Sequence, residues 1–294
     1  MSESTSKILV PIGFSDQSIY ALDQACNLAK IKNSKIVLLS VIEDLSVLQS
    51  LFIDDQSHEL QKKVNNKLND IAKKYSNKYN IYIETMVAKG KVYNQINEVA
   101  EMISADLIIM GTDGTPKGRV KRFIGSNAER VVRSSHCPVI TLKGSKNQER
   151  CDNIILPLDL GKETKEKVTH ALQYARYWGA TIRIVSILLK DNKEIEKKLI
   201  NTLKQVEKFI TEAGVSCTAE LVKGDKKITL GNFIINYQNK YNSSLIIIMT
   251  KKEELSLSAN LSVTARYIIY NSEIPVMSIR PKKRNYRTGP TTAF

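Results

Sequence analysis

A chain of 294 residues is long enough for one large domain or for two domains of ordinary size. Apolar residues make up 42% of it and charged residues 25%, a composition typical of a globular protein with a substantial buried core. No apolar run approaches the roughly 20 residues that a membrane helix needs, and residues 1–6 lack the basic and apolar segments of a signal peptide. We therefore expect a cytoplasmic protein without a membrane partner.

The first half of the chain alternates predicted strands with predicted helices. Strands are predicted over residues 7–12, 35–41, 81–87, 107–110 and 139–142, from continuous apolar runs and, at 81–87, from alternation. Helices are predicted over residues 17–30, 54–78, 93–102 and 128–133, and the first of them follows a capping pair, Ser15 and Asp16. This alternation indicates a parallel sheet with helices on both faces.

The fourth predicted strand runs into a loop that contains glycines. Gly111 and Gly114 follow the strand, and Gly125, Ser126 and Asn127 open the next helix. Glycine allows a positive φ and a close approach of a ligand to the backbone, and the first amides of a helix have no intrahelical acceptor. The stretch therefore predicts a phosphate-binding loop, with the Ser126 hydroxyl as a further donor. The alternative is a strand–helix turn that binds nothing, since short glycine motifs also occur by chance.

The second half of the chain repeats the order of the first, which predicts two tandem domains, residues 1–146 and 147–294. Residues 155–157 and 181–187 repeat 9–11 and 35–41 at an offset of 146, whereas residues 244–249 repeat 106–111 at an offset of 138. The smaller offset indicates that the second copy is shorter around its second helix, predicted over 192–213. Its counterparts of the three loop glycines are Met249, Lys252 and Ser262, so we expect the second copy to lack the phosphate loop.

The formal net charge of +14 raises the question of a nucleic-acid partner. Basic residues are concentrated near the carboxyl end of the chain, at Arg280, Lys282, Lys283, Arg284 and Arg287. Such a charge can attract nucleic acid, but only Tyr286 is interleaved with these residues, so a nucleic-acid partner is not expected.

Four cysteines without a C-x-x-C pair and three scattered histidines give no disulfide or metal pattern, so no metal is expected.

The glycine spacing at 111 and 114, the Gly-Ser-Asn sequence at 125–127 and the strand that follows Cys137 resemble the nucleotide-binding loop of universal stress proteins. The spacer between Gly114 and Gly125 is ten residues, one longer than is usual in that family. The resemblance implies an α/β fold of two tandem doubly wound domains, each a five-stranded parallel sheet of order 3-2-1-4-5 with helices on both faces. It also implies that the two domains pair within one chain through their last strands, at 139–142 and 276–279.

The resemblance further implies an adenine nucleotide, ATP or AMP with Mg²⁺ as a possible companion, in the first domain. The residues implied for it are Gly111, Gly114, Gly125, Ser126 and Asn127 near the phosphates, and Pro11, Val41 and Val87 near the base and ribose. The family usually has an aspartate at the position of Gly13, and its loss should weaken binding by about 1–3 kcal/mol. Asp159 keeps that carboxylate in the second copy. We expect the second domain to be a packing partner only, and the alternative is that it binds a ligand through Asp159.

The sequence contains no recognisable catalytic arrangement, such as a Ser/His/Asp spacing, a paired-carboxylate site or a Walker lysine. We therefore expect a stress-response regulatory protein that binds an adenine nucleotide without significant turnover, with slow ATP hydrolysis at most. The alternative is a nucleotide-free interaction or scaffold protein whose two sites have decayed. The sequence does not indicate which proteins the chain binds or whether it forms a homodimer.

Overall fold

A computed structural model describes most of the chain. The described residues are 6–43, 54–112, 126–143, 150–160, 164–189, 191–224, 228–241, 243–250 and 261–281. Among them no helix combines the length and the apolar character that a bilayer-spanning segment requires.

Strands and helices alternate throughout both halves. The first half contains β1 (Lys7–Pro11), α1 (Asp16–Lys32), β2 (Lys35–Ile42), α2 (Asp54–Tyr79), β3 (Ile83–Lys89), α3 (Val92–Met102), β4 (Leu107–Gly111), α4 (Ser126–Ser134) and β5 (Val139–Leu142). The second half contains β6 (Asn153–Pro157), α5 (Thr164–Trp178), β7 (Thr181–Leu188), α6 (Lys193–Glu212), β8 (Cys217–Lys223), α7 (Leu230–Lys240), β9 (Leu245–Met249), α8 (Val263–Asn271) and β10 (Val276–Ile279). The second helix has 26 residues in the first half and 20 in the second, as the falling offset predicts.

The ten described strands form one sheet of order β3-β2-β1-β4-β5-β10-β9-β6-β7-β8. Each half has the predicted order 3-2-1-4-5 and pairs its own strands in parallel, for example β1 with β2 and β4. The halves meet where β5 and β10 pair antiparallel, with Ile140 opposite Met277. The predicted fold class and the pairing through the last strands are therefore confirmed. The domain boundary predicted at 146/147 lies within residues 144–149, outside the described residues, and stays a prediction.

Helices cover both faces of the sheet because alternate strand residues point to opposite sides. One buried cluster joins the sheet to α1, α2, α5 and α6, and the other joins it to α3, α4, α7 and α8. Residues Leu107, Ile108, Ile109 and Met110 of β4 are all buried and belong alternately to the two clusters. This is why β4 has a continuous apolar sequence, as expected of a strand that is covered on both sides.

Local signals fix both ends of α1, which starts one residue before the predicted position 17 and ends two residues after the predicted position 30. The Ser15 hydroxyl oxygen accepts a hydrogen bond from the Ser18 amide at 3.3 Å and caps the helix start. The helix ends at Asn33, whose φ of 52° is left-handed and whose amide donates to the Ala29 carbonyl.

The start of β3 differs from the sequence prediction of residue 81. Asn80 has a φ of 52°, and the amide of Ile81 donates to the Ser76 carbonyl at 3.3 Å. The Ser76 hydroxyl in turn donates to the Ile81 carbonyl at 2.6 Å. Ile81 is thus held in the turn that ends α2, and the strand begins at Ile83.

The seam between the halves is formed by side chains as well as by β5 and β10. Across it, the Arg266 guanidinium lies 2.6 Å from the Glu129 carboxylate, and the Lys143 ammonium donates to the Tyr270 carbonyl at 2.8 Å. Arg280, the described member of the basic carboxyl-terminal group, donates to the Ser134 carbonyl at 2.9 Å. Both buried clusters contain residues of both halves, so the two halves share a continuous core.

The same hydrogen-bonded turn precedes the last strand of each half. In the first, the Ser135 hydroxyl donates to the Cys137 carbonyl at 2.9 Å and accepts from the Cys137 amide at 3.3 Å. In the second, the Ser272 hydroxyl makes the same two bonds with Ile274, at 2.8 and 3.2 Å. The repeat therefore extends to side-chain contacts that the apolar pattern does not predict.

Buried thiols give a direct test of this packing. Burial raises the pKa of Cys26 and of Cys151 to about 12 in each case, because a thiolate is poorly solvated in the core. Against an ordinary thiol pKa of about 8.5, the thiolate fraction at pH 8 falls about a thousandfold or more. We expect iodoacetamide at pH 8 to leave both thiols unmodified in the native chain and to label both after denaturation, as measured by peptide mass spectrometry. Equal labelling rates in the native and denatured chains would contradict the buried placement.

Candidate functional site

The candidate site is the crevice where the winding of the first half reverses. Strands β1 and β4 are neighbours, but α1 follows β1 on one face of the sheet and α4 follows β4 on the other. The two loops therefore diverge at the carboxyl ends of these strands and leave a crevice between them. Ligands of doubly wound sheets collect at such a position.

The loop after β1 forms one side of this crevice. Pro11 ends the strand, and the buried Ile12 donates its amide to the Leu39 carbonyl at 2.8 Å. Phe14 has a φ of 59°, packs against the core and carries the Lys67 ammonium 4.5 Å from its ring centroid. Gly13 lies exposed between these two anchored residues, and a Cβ atom added there would meet no atom within 4 Å.

Gly111, at the end of β4, is required for a reason other than the one predicted. Its φ is outside the left-handed region, so the predicted positive φ is wrong at this position. A Cβ atom on Gly111 would instead lie 3.1 Å from Cβ and 3.3 Å from Oε1 of Gln17, in the first turn of α1. The Gln17 side chain passes this point to donate to the Lys143 carbonyl at 2.9 Å. Glycine is therefore needed so that α1 can pack closely against the end of β4.

The residue after Gly111, Thr112, does not contribute its backbone amide to the predicted phosphate-binding loop. The Thr112 amide donates to the Leu142 carbonyl at 2.9 Å, and its hydroxyl lies 3.3 Å from the same oxygen. Thr112 is buried by this arrangement and cannot offer its amide to a phosphate. Gly114 and Gly125 lie outside the described residues, so the predicted roles of these two glycines stay predictions.

Helix α4 begins on the carboxyl side of β4 and offers the remaining described donors. Its buried residues Ala128, Val131 and Val132 fix it to the sheet, while Ser126 is exposed and Asn127 half-buried at its start. The first-turn amides have no intrahelical acceptor, and the helix dipole gives this end a partial positive charge. The Glu129 carboxylate, also in the first turn, is paired with Arg266. The start of α4 is therefore suited to bind an anion.

Val41 and Val87 do not lie together. Val41 packs against the cluster of α3 and α4, whereas Val87 packs against the cluster of α1 and α2 on the opposite face. Since Val41 is paired in register with Ala88, the third-strand side chains on the face of Val41 are those of Met86 and Ala88. The implied roles of Val41 and Val87 concern their backbone groups and stay predictions, and the side chains beside Val41 on this face are those of Met86 and Ala88.

The second half has the same architecture at the corresponding crevice but different chemistry. The Thr250 amide donates to the Ile279 carbonyl at 2.9 Å, as Thr112 does to Leu142 in the first half. Met249 stands where β4 has Gly111, and the Ser262 hydroxyl accepts from the Ala265 amide at 3.1 Å, which caps α8. One backbone amide at this helix start, which could bind an anion, is therefore already paired within the chain.

The described residues of the first crevice are arranged for binding an anion next to an apolar surface. Within the described ranges, no group of three or more His, Cys, Asp or Glu side chains is placed to hold a metal ion. The donors are the backbone amides of Ser126 and Asn127, the Ser126 hydroxyl and the Asn127 side-chain amide, and the apolar surface is that of Val41 and its neighbours on β3.

The sequence model of the universal stress protein family matches residues 5–143, which make up the first half. Universal stress protein MJ0531 of Methanocaldococcus jannaschii is 34% identical over 152 residues, which cover 48% of this chain and 84% of that protein. Universal stress protein YxiE of Bacillus subtilis is 30% identical over 148 residues, which cover 47% of this chain and 99% of that protein.

A likeness that includes both halves comes from a solved structure. The crystal structure of a universal stress protein from Archaeoglobus fulgidus superposes with a TM-score of 0.74 at 21% identity, covering 93% of this chain and 96% of the other. At this identity the likeness concerns the fold, and it extends the agreement beyond the half matched in sequence. With its fold, its glycine-containing loop and these relatives, the chain belongs to the universal stress protein family.

Proposed function

We propose that this chain is a cytoplasmic stress-response regulator that binds one adenine nucleotide, ATP or AMP, in the crevice of its first half. The phosphates lie at the start of α4, near Ser126 and Asn127, and Mg²⁺ accompanies them when ATP is bound. The base lies against the face of β2 and β3 that carries Val41, Met86 and Ala88. The resemblance of residues 111–127 to the nucleotide-binding loop of the family supports this choice of ligand.

The observation that carries the proposal is the position of α4. The helix starts where the sheet reverses its winding, and its first residue is exposed while its apolar residues are buried. A helix start in this position presents free amide donors and a partial positive charge to a phosphate. In the second half the corresponding capping interaction of Ser262 and the side chain of Met249 disfavour a phosphate, which is why one nucleotide per chain is proposed.

Binding without significant turnover is part of the proposal. Hydrolysis of a nucleotide needs a group that orients or deprotonates water, and it is fastest where metal ions are held by several ligands. The described crevice offers mainly backbone and hydroxyl donors, which stabilise a bound phosphate in its ground state. The proposed activity is therefore a nucleotide-dependent change in how the chain meets its partners.

Replacing Ser126 by aspartate tests the phosphate position. An acidic residue in the first turn favours the helix itself, so Ser126→Asp is expected to fold. The same charge would repel a bound phosphate, and we expect the Kd for ATP to rise at least about tenfold, that is by about 1.4 kcal/mol. Isothermal titration calorimetry with ATP, ADP and AMP gives this value.

The matched control is Val263→Asp, which adds the same charge at the corresponding first residue of α8 in the second half. Val263 is 85% exposed, so the change is expected to leave both the fold and the ATP affinity unaltered. Equal effects of the two substitutions would assign the loss to net charge and contradict the proposed position. A complete absence of binding heat in the unmodified chain at millimolar nucleotide would favour the nucleotide-free scaffold.

A further inference from the structure

The second half contains a cavity at the place that corresponds to the nucleotide crevice of the first. The cavity measures about 230 Å³ and lies at the carboxyl ends of β6, β7 and β9, beside the starts of α7 and α8. Pro157, Asp159 and Ile187 line it at the positions that Pro11, Gly13 and Val41 hold in the first half. The duplicated architecture has therefore kept an open crevice here, although the glycines are lost.

The walls of the cavity are mainly apolar. Aliphatic side chains of five elements form them, and most are buried: Leu158, Val185, Ile187, Leu199, Ile234, Ile248 and Ile268. An apolar cavity of about 150 Å³ takes up benzene, and ligand pockets commonly measure about 300–1,000 Å³. A cavity of about 230 Å³ is therefore suited to a ligand with one or two rings.

A few polar side chains also line the cavity. Lys167 of α5 is only 7% exposed, although Ala21 occupies the corresponding buried position of α1. Its ammonium donates to the Pro157 carbonyl at 2.7 Å, and Asp159 lies in the same lining with Ser262 and Thr264. Lys167 and Asp159 both take part in further interactions within the chain. One cation and one anion make the charge of the described lining zero.

This lining disfavours a phosphate or any other strongly charged ligand. A charge moved from water into an apolar cavity needs a partner of opposite sign, and the described lining has no net charge to supply one. The capping by Ser262 uses the Ala265 amide, a donor that a phosphate would otherwise bind. Hydroxyl and amide groups, by contrast, can donate to the Asp159 carboxylate and can donate to or accept from the Ser262 and Thr264 hydroxyls.

We propose that the second half binds an uncharged, mainly apolar small molecule of one or two rings that carries a hydroxyl or amide group, with the rings among the aliphatic walls and the polar group beside Asp159, Ser262 and Thr264. This site is separate from the nucleotide crevice and does not depend on it. The chain then has two ligand sites of different chemistry on one duplicated fold.

Equilibrium dialysis of the full chain against 1-naphthol and 1-naphthyl phosphate, which differ in their polar group, tests the proposal. The expected result is saturable binding of one 1-naphthol per chain, with 1-naphthyl phosphate at least tenfold weaker. Saturating ATP is expected to leave 1-naphthol binding unchanged, because the nucleotide is proposed to occupy the other half. Absence of saturable binding, equal affinity for the phosphate, or displacement by ATP would each overturn the proposal.

Two adjacent substitutions on α8 provide the matched variants. Thr264→Phe adds a ring to the lining and is expected to weaken 1-naphthol binding at least tenfold. Val263→Phe adds the same ring at a residue that is 85% exposed and is expected to leave binding unchanged. Thermal unfolding of both variants checks that they are folded. Identical binding by the two would overturn the assignment of this cavity.

A charge change gives a test that does not depend on filling the cavity. Asp159→Asn leaves the Lys167 ammonium as the charged group of the described lining. The variant is expected to bind 1-naphthoate at least about fivefold more tightly than the unmodified chain does, because the carboxylate then meets a net positive lining. An unchanged or lower 1-naphthoate affinity in the folded variant would contradict the placement of these groups.

Discussion

Replacing Gly13 by aspartate is expected to strengthen ATP binding by about 1–3 kcal/mol, which is about 5- to 150-fold in Kd. The loop around Gly13 is already held in shape by Ile12 and Phe14 on either side. Gly13 has a φ that other residues adopt, and its Cβ position is open, so a side chain can be added without displacing a neighbour. The new carboxylate would restore the acceptor that the family usually has in this loop and that Asp159 provides in the second half.

Calorimetric titration of the Gly13→Asp variant measures this gain directly. Gly13→Ala is the control, because it adds the Cβ atom without the carboxylate and is expected to leave the Kd for ATP unchanged. An equal gain in both variants would assign the effect to a stiffer loop. A folded Gly13→Asp variant with unaltered affinity would mean that the nucleotide does not lie against this loop.

Truncating either side of the seam is expected to destabilise the whole chain. Ile140 of β5 and Met277 of β10 face each other across the antiparallel pair and are both buried. Ile140→Ala and Met277→Ala each remove apolar contact and leave a cavity, at an expected cost of about 2–5 kcal/mol in the free energy of unfolding. Since the buried clusters continue across the seam, the loss is expected to be felt by both halves.

The single tryptophan of the chain, Trp178, reports on the second half, and far-ultraviolet circular dichroism reports on both. Urea unfolding followed by the two probes is expected to give coincident transitions in the unmodified chain and in both variants. Met102→Ala, at a residue that is 65% exposed, is the control and is expected to change the free energy of unfolding by less than about 0.5 kcal/mol. If Ile140→Ala left the Trp178 transition in place while the dichroism became biphasic, the halves would be independent.

Apolar runs were sufficient to predict the central strands β1, β4 and β5 because nearly all of their residues are buried, whereas the edge strand β3 showed only an alternating pattern. β5 begins and ends at the residues predicted, and the repeated order placed the second half in the same fold. The boundary between α2 and β3 was harder to predict. The left-handed Asn80 and the two hydrogen bonds between Ser76 and Ile81 keep Ile81 out of β3, although Ile81 is apolar. A period-2 pattern does not distinguish such a turn from a strand end.

The site was predictable in its position but less so in its contacts. The role of Gly111 depends on Gln17, which reaches it only after α1 has packed against the sheet. The pairing of the Thr112 amide with Leu142 likewise depends on the register of β4 with β5. Contacts between residues so far apart along the chain leave no pattern in a single sequence.

Strand register is a further feature that the apolar pattern does not show. Val41 and Val87 both end apolar runs, but Val41 is opposite Ala88, so Val87 points to the other face. The cavity of the second half had no motif at all, because it is lined by aliphatic residues of five elements and by a lysine at a position that is alanine in the first half.

Native mass spectrometry of the chain after incubation with millimolar ATP shows whether the first crevice alone holds a nucleotide. We expect a mass increase of one nucleotide per chain, retained in Val263→Asp and strongly reduced in Ser126→Asp. A folded, unmodified chain that carries no nucleotide, or one that carries two, would contradict it.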